Sequence, residues 1–381
     1  MDSNLELTSS LDGDASAAGA ACFDHGGKFG AKLPLEPGLH VRIGELTFMV
    51  VSLLGEGSFG AVWSAVSDLW SGEVAIKEIV CRSEAELVRA AAERQLLDFV
   101  GSGGRTGKQG QGEESPAVIA ARRFPSLVAY QVEVVGPCVW QVRIAMSRLP
   151  GKALDSLLNN QDGELPQDLI DLPKSVGQVA RLSDASRCVR CMLEQLVPAL
   201  EHFGTRAYHR DITPRNILVE CIDGHYSFSL VDFGLAVDAS KWKADLLMQD
   251  IGGDGRYWPT ASWFVLTNGA SCLERHPALL HEYESCLDLH ALGVCALQCL
   301  MDRWAPEAEG LDSASGSPQE SKLQRLRLAW ARFWDAIARL WQPMFDAFCG
   351  GRDEIEKVRH RYKRAGIHHL VSAHLCAVRS A

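Results

Sequence analysis

Four short runs of specialised residues, in a fixed order, constrain this chain more than anything else in it. Gly55-Glu56-Gly57-Ser58-Phe59-Gly60-Ala61-Val62 comes first and Val74-Ala75-Ile76-Lys77 second. His209-Arg210-Asp211-Ile212-Thr213-Pro214-Arg215-Asn216 follows, then Asp232-Phe233-Gly234. Leu46 to Leu54, Ala61 to Ser67 and Glu73 to Val80 read as strands, which makes the glycine run the turn of a hairpin. Gly55, Gly57 and Gly60 carry no Cβ, so a backbone there can pass close over a bulky anion. A dinucleotide-binding glycine run opens a helix, whereas a strand follows this one. Lys77 ends an apolar strand, where an ammonium is costly unless paired. Gly107-Lys108 is not a Walker A loop, because Ser102 and Gln109 stand where that loop needs Gly and Ser or Thr.

In this order and at these separations the four runs resemble the protein kinase family, over about residues 46–300 closely and the remainder loosely. The resemblance implies an α+β, bilobal, protein-kinase-like fold within residues 41–381. A small β-rich lobe with one main helix would span about 46–148, and a larger, mostly helical lobe about 149–375. It implies transfer of the γ-phosphate of ATP to a protein hydroxyl, with Mg2+ as cofactor and ATP and a protein substrate as partners. The glycines would cover the phosphates, and Val62 would cover one adenine face. Lys77 would hold the α- and β-phosphates and pair with a glutamate of the next helix. Glu84, Glu86 and Glu93 are the candidates; Glu93 is preferred because Leu96-Leu97 then falls where the family packs that helix, and Glu86 is the fallback. Asp211 would accept the proton of the acceptor hydroxyl, and Asn216 and Asp232 would bind magnesium, which takes hard oxygen ligands. Ala75 and Leu218 would sandwich adenine, Met146 would control the back pocket, and Leu149 would offer its backbone to the adenine edge. Asp288 would brace the catalytic loop.

Three departures from the family pattern matter. Thr213 stands where serine/threonine kinases usually carry a lysine that neutralises the γ-phosphate, although Pro214 is closer to the serine/threonine type, which is the expectation here. No Ala-Pro-Glu follows Asp232-Phe233-Gly234; Gly255-Arg256-Tyr257-Trp258-Pro259-Thr260-Ala261 approaches it without the glutamate. Arg215 precedes Asn216 where basophilic kinases often carry an acid, so no strong preference for basic substrates is expected. Arg210 beside Asp211 leaves phosphorylation of the following loop open, with Ser240, Thr260 and Ser262 as acceptors. Two alternatives stand beside the kinase reading: a scaffold that binds nucleotide without transfer, and a kinase-like enzyme acting on a small molecule.

The rest of the sequence sets bounds. A net charge of -10 argues against general nucleic-acid binding. No signal peptide and no apolar run of membrane-spanning length is read, so a cytoplasmic or nuclear location is expected. Twelve cysteines in such a setting read as reduced thiols, and Cys188/Cys191 and Cys295/Cys299 as small buried side chains on helices. Residues 1–40 read as a flexible tail, and 101–115 and 309–320 as loose insertions. Ser83 to Val100 reads as a helix opened by a Ser83/Glu86 capping box. Val189 to Gly204, Cys286 to Met301 and Leu323 to Phe348 read as helices with buried stripes, and Arg352 to Arg364 as a solvated helix.

Overall fold

Strand-forming runs in the first third of the chain assemble into one antiparallel sheet. The structure, a computed structural model, describes residues 35–57, 60–105, 116–158, 178–244, 252–304 and 318–381. β1 (His40–Ile43), β2 (Leu46–Gly57), β3 (Gly60–Ser67) and β4 (Trp70–Cys81) lead into α1 (Glu84–Arg105) and α2 (Pro116–Ala121). β5 (Leu127–Gly136) and β6 (Val139–Ser147) then complete the sheet in the order β1-β2-β3-β4-β6-β5, and it curls into a nearly closed barrel. Alternate residues of a strand point to opposite faces. Val74, Ile76 and Ala145 accordingly join Val41, Ile43, Phe48 and Val50 in the barrel's own core. Their neighbours Ala75, Ile144 and Met146 face the other way, into a second core shared with α1 through Leu96, Leu97 and Val100.

That second core continues into the helical half, so it joins the two parts of the molecule. After β7 (Lys152–Ala153) and α3 (Leu154–Leu158), α4 (Gln178–Gly204) buries Cys188, Met192, Leu196, Ala199 and Phe203 at helical spacing. β8 (Ala207–Tyr208) leads to β9 (Ile217–Ile222) and β10 (His225–Leu230), which pair with β7 in the order β10-β9-β7. β11 (Val237–Asp238) pairs with β8 and runs into α5 (Ala239–Ala244). α6 (Thr260–Asn268), α7 (Pro277–Ser285) and α8 (Leu287–Trp304) follow, with α8 lying along α4. α9 (Pro318–Gly350), α10 (Arg352–Ala365) and α11 (Ile367–Ser380) close the chain. The expected stripe of α9 is core: Trp330, Phe333 and Ile337 are buried. Among the described residues no helix is long and apolar enough to cross a membrane.

Three expected boundaries move. The chain enters the fold before residue 41: Leu35 is buried, the Gly38 N–H donates to the Val50 carbonyl at 2.8 Å, and β1 precedes Leu46. Residues 1–34 of the expected tail lie outside the described residues. α1 runs on to Arg105, into the insertion expected at 101–115, because Val100 anchors its last turns to the core; residues 106–115 lie outside the described residues. α9 begins at Pro318, inside the second expected insertion, whose residues 309–317 also lie outside them. Proline suits a helix's first turn, which fits that start.

Candidate active site

The β2–β3 hairpin presents the glycine run as its tip. Gly57 pairs with Gly60, while Ser58 and Phe59 lie outside the described residues. Gly60 is fixed by the fold: φ is +125°, and an added Cβ would sit 2.0 Å from the Glu78 carbonyl oxygen. Gly55 and Gly57 differ, since a Cβ on either would meet nothing within 4 Å. Register then lines up side chains beneath the hairpin. Val62, Lys77 and Ile144 form one row across β3, β4 and β6, and Ser64, Ala75 and Met146 the next. The sheet leaves through Leu149, half-buried, to Ala153, whose partner on β9 is the half-buried Leu218.

Lys77 is where distant segments meet. Its Nζ donates to both oxygens of Glu93 (2.8 and 3.0 Å) on α1 and to Oδ1 of Asp232 (2.7 Å) after β10. Lys77 and Glu93 are almost fully buried, whereas the Asp232 side chain stays 36% exposed. Burial pulls the Lys77 ammonium's pKa down, but the two carboxylates outweigh it and the net shift is upward. Burial pushes the Glu93 carboxyl up, with Lys77 pulling against it. Burial acts the same way on Asp232, but Lys77 and the Gly234 N–H hold that carboxyl below the usual range. Glu93, rather than Glu84 or Glu86, is therefore the partner of Lys77. Glu86 is spent on the helix start: its N–H donates to Ser83 Oγ (3.3 Å), and its carboxylate accepts from the Arg82 N–H (2.7 Å).

The loop after β8 hangs from one carboxylate. Asp288, on α8, accepts the backbone N–H groups of His209 (2.7 Å) and Arg210 (2.8 Å). The buried His209 donates from Nε2 to the Val231 carbonyl at 3.2 Å. Asn216 Nδ2 donates to the backbone oxygen of Asp211 (2.9 Å) and to its Oδ2 (2.8 Å). Burial pushes the Asp211 carboxyl up; His209 and the Asn216 hydrogen bond oppose this, and the charge of Asp232 adds to it. Arg210 (φ +64°) and Asp232 (φ +69°) both have left-handed backbones, a conformation that costs about 1–2 kcal/mol for such residues and persists where neighbours over-determine it. Phe233 packs behind them against Phe203 (5.2 Å between centroids), His209 (5.5 Å) and Phe124 (5.7 Å).

Asp232 and Asn216 fit a magnesium ion by the chemistry of their donors. Asp232 keeps part of its carboxylate open, and Asn216 turns its NH2 to Asp211, which leaves its carbonyl oxygen for a cation. Among the described residues no group of three or more His, Cys, Asp or Glu is placed to hold a metal. Two oxygen ligands from the protein suit magnesium, which retains water and takes phosphate oxygens.

A small cleft beside Asp211 is walled by Thr213, Trp242, Asp254, Trp258 and Ser262. Thr213 is buried there. Arg215 is 67% exposed and lies 3.9 Å from the Asp254 carboxylate, which Arg256 also grips. Glu282 on α7 accepts the Ala261 N–H at 2.8 Å and so holds the start of α6. Trp242, Asp254 and Glu282 were not singled out from the sequence. Only Asp254 carried a local signal, its two-residue spacing from Arg256, whose N–H and guanidinium both reach it. No protein-family model matches the chain, and no curated protein matches it significantly.

Proposed function

We propose that the chain is a bilobal, magnesium-dependent protein kinase that transfers the γ-phosphate of ATP to a serine or threonine hydroxyl of a protein. The reading rests on one observation above the others: β4, α1 and a segment 155 residues away meet at the Lys77 ammonium, with Glu93 at 2.8 Å and Asp232 at 2.7 Å. A surface ion pair needs no such convergence, and a buried one is costly to build for stability alone. Lys77, oriented by Glu93, binds the α- and β-phosphates. The open space over Gly55 and Gly57 is where the hairpin backbone lies against the phosphates. Val62, Ala75, Met146 and Leu218 supply apolar surface for the adenine, and Leu149 its backbone. Asp232 and Asn216 would hold magnesium, which would supply positive charge to offset that of the phosphates.

Asp211 orients the acceptor hydroxyl. As the acceptor oxygen bonds to the γ-phosphorus, the bond from that phosphorus to the β–γ bridging oxygen breaks, and ADP leaves with the electron pair. The acceptor proton passes to Asp211 and on to water. A carboxyl pushed upward is a better base than an ordinary aspartate. The buried Thr213 in place of a lysine supports a second reading, a scaffold that binds nucleotide without transfer. Purified protein incubated with labelled ATP, magnesium and protein acceptors, beside Asp211→Asn, separates the two. Label reaching protein only with the unmodified chain supports the kinase; nucleotide binding with no transfer by either supports the scaffold.

A further inference from the structure

Arg210, in the third motif beside Asp211, is a charged side chain that phosphoryl transfer leaves without a task. Where kinases are switched on by phosphorylation of the loop after Asp-Phe-Gly, the new phosphate pairs with arginines and orders the loop. Here the guanidinium is already engaged. Arg210 Nε donates to the Leu235 carbonyl at 2.8 Å, and its Cζ lies 5.3 Å from the centre of a Trp242 ring. Trp242 is itself fixed: it is 2% exposed, and its Nε1 donates to the Tyr283 carbonyl at 2.9 Å. Gly252 lies against the guanidinium and Gly253 against the Arg210 backbone. A Cβ on Gly252 would lie 3.3 Å from Arg210 Nη2, and one on Gly253, at φ +86°, would lie 2.3 Å from the Arg210 carbonyl oxygen.

The segment also offers a phosphate little to attach to. From Asp232 to Ser262 the hydroxyl side chains are Ser240, Tyr257, Thr260 and Ser262. Tyr257, Thr260 and Ser262 are all buried. Ser240 is exposed, but its hydroxyl donates to the Asp238 carboxylate, beside which a phosphate dianion would be repelled.

We propose that Trp242 is a positioning residue that takes the place of an activating phosphate. Its ring face holds the Arg210 guanidinium, and through it the backbone that carries Asp211, so the site is ordered without phosphorylation. The consequence for catalysis rests on the kinase reading; the ordering of the loop does not.

The test uses the full chain. After phosphatase treatment, with mass spectrometry showing residues 232–262 free of phosphate, wild-type protein is expected to transfer at an unchanged kcat. Trp242→Leu keeps apolar bulk but removes the ring face. It is expected to lower kcat by about thirtyfold, the size of one desolvated cation–π contact, with KM for ATP unchanged. Trp242→Phe is expected to recover most of the loss. Without nucleotide, amide hydrogen exchange over 209–211 and 233–244 should quicken by about tenfold in Trp242→Leu and not in Trp242→Phe. Loss of activity on phosphatase treatment, or unchanged kcat and exchange in Trp242→Leu, overturns the proposal. If Trp242→Leu does not fold, the phosphatase arm and Trp242→Phe decide. If wild-type protein transfers nothing before or after treatment, the kinase reading fails, and the exchange measurements alone decide whether Trp242 orders the loop.

Discussion

The cluster around Lys77 and the platform around Trp258 flank the same aspartate loop, and they are held by different forces. At Lys77 charged atoms meet one another directly, and both partners are side chains at 2.7–3.0 Å. At the platform, side chains mostly grip backbone. Trp258 Nε1 donates to the Gly252 carbonyl (3.0 Å), Glu282 takes the Ala261 N–H, and Trp242 donates to the Tyr283 carbonyl. Trp258 also packs edge-on against Trp263 and Trp341, each at 5.4 Å. A charged pair tolerates no change of residue type, because the abandoned partner is left buried and unpaired. A backbone contact accepts any donor or acceptor of the right reach. One side of the site is therefore fixed in residue identity, and the other is free to be built from unrelated parts.

Substitutions can break that contrast, and the largest effects belong to the charged side. Asp211→Asn is expected to reduce transfer by about 10²–10⁴-fold while leaving nucleotide affinity near wild type, measured as kcat beside calorimetric binding of ATP. An equal loss in binding would mean that Asp211 holds the loop rather than the reacting hydroxyl.

Next come two glycines of the same hairpin. Gly60→Ala drives a methyl into the Glu78 carbonyl at positive φ and is expected to destabilise the fold by about 2 kcal/mol or more. Gly57→Ala meets only open space, so its expected effect is a raised KM for ATP with little change in the denaturation midpoint. Equal melting shifts in the two variants would remove the distinction between a glycine required by packing and one left open for a ligand.

The platform should be gentler. Glu282→Ala removes one half-buried hydrogen bond to the start of α6 and is expected to cost about 1–2 kcal/mol in denaturant unfolding. Its effect on transfer should appear in KM for the protein acceptor and not for ATP. Glu282→Gln keeps an acceptor oxygen and should restore most of both.

The smallest effect is in pH dependence. Asp211 must be ionised to accept a proton, and burial lifts its pKa, so activity is lost as pH falls through a value above the ordinary aspartate range near 3.9. Asp232, held below that range by Lys77, contributes stability that is present above the unfolded pKa and lost only as pH falls through its lower folded value. Glu93 and Asp211, both raised, act in the opposite sense and become less unfavourable on acidification. An acid limb of kcat/KM at or below the ordinary aspartate range would contradict the assignment of Asp211.

Legibility followed the same division. Lys77, Glu93, Asp211, Asn216, Asp232 and Asp288 were all named through the resemblance of the motif runs to the protein kinase family, and that resemblance is legible because chemistry that needs an ammonium, a carboxylate or a carboxamide leaves few substitutes. Strands and the longer helices were legible through their periodicity, as in β4 and α9. Short elements such as α2, α3 and α5 gave no periodic signal over so few residues. Neither did β1, whose pairing partner is set by the barrel rather than by its own four residues. Glu282 was invisible for another reason: it sits on a different helix, and nothing in the local sequence links it to Ala261.

By itself, then, the sequence determined which chemical groups the site can contain and the strand and helix periods that carry them. Those follow from side-chain chemistry and local backbone geometry, and both are written residue by residue. Only the tertiary structure decided that Glu282 holds the start of α6 and that Arg210 rests on Trp242, and only it separated Glu93 from the fallback Glu86 by contact. Each of these is a contact between segments tens of residues or more apart, or a choice among equivalent neighbours on one helix. What settles them is how the shared core packs and which buried polar groups would otherwise go unpaired.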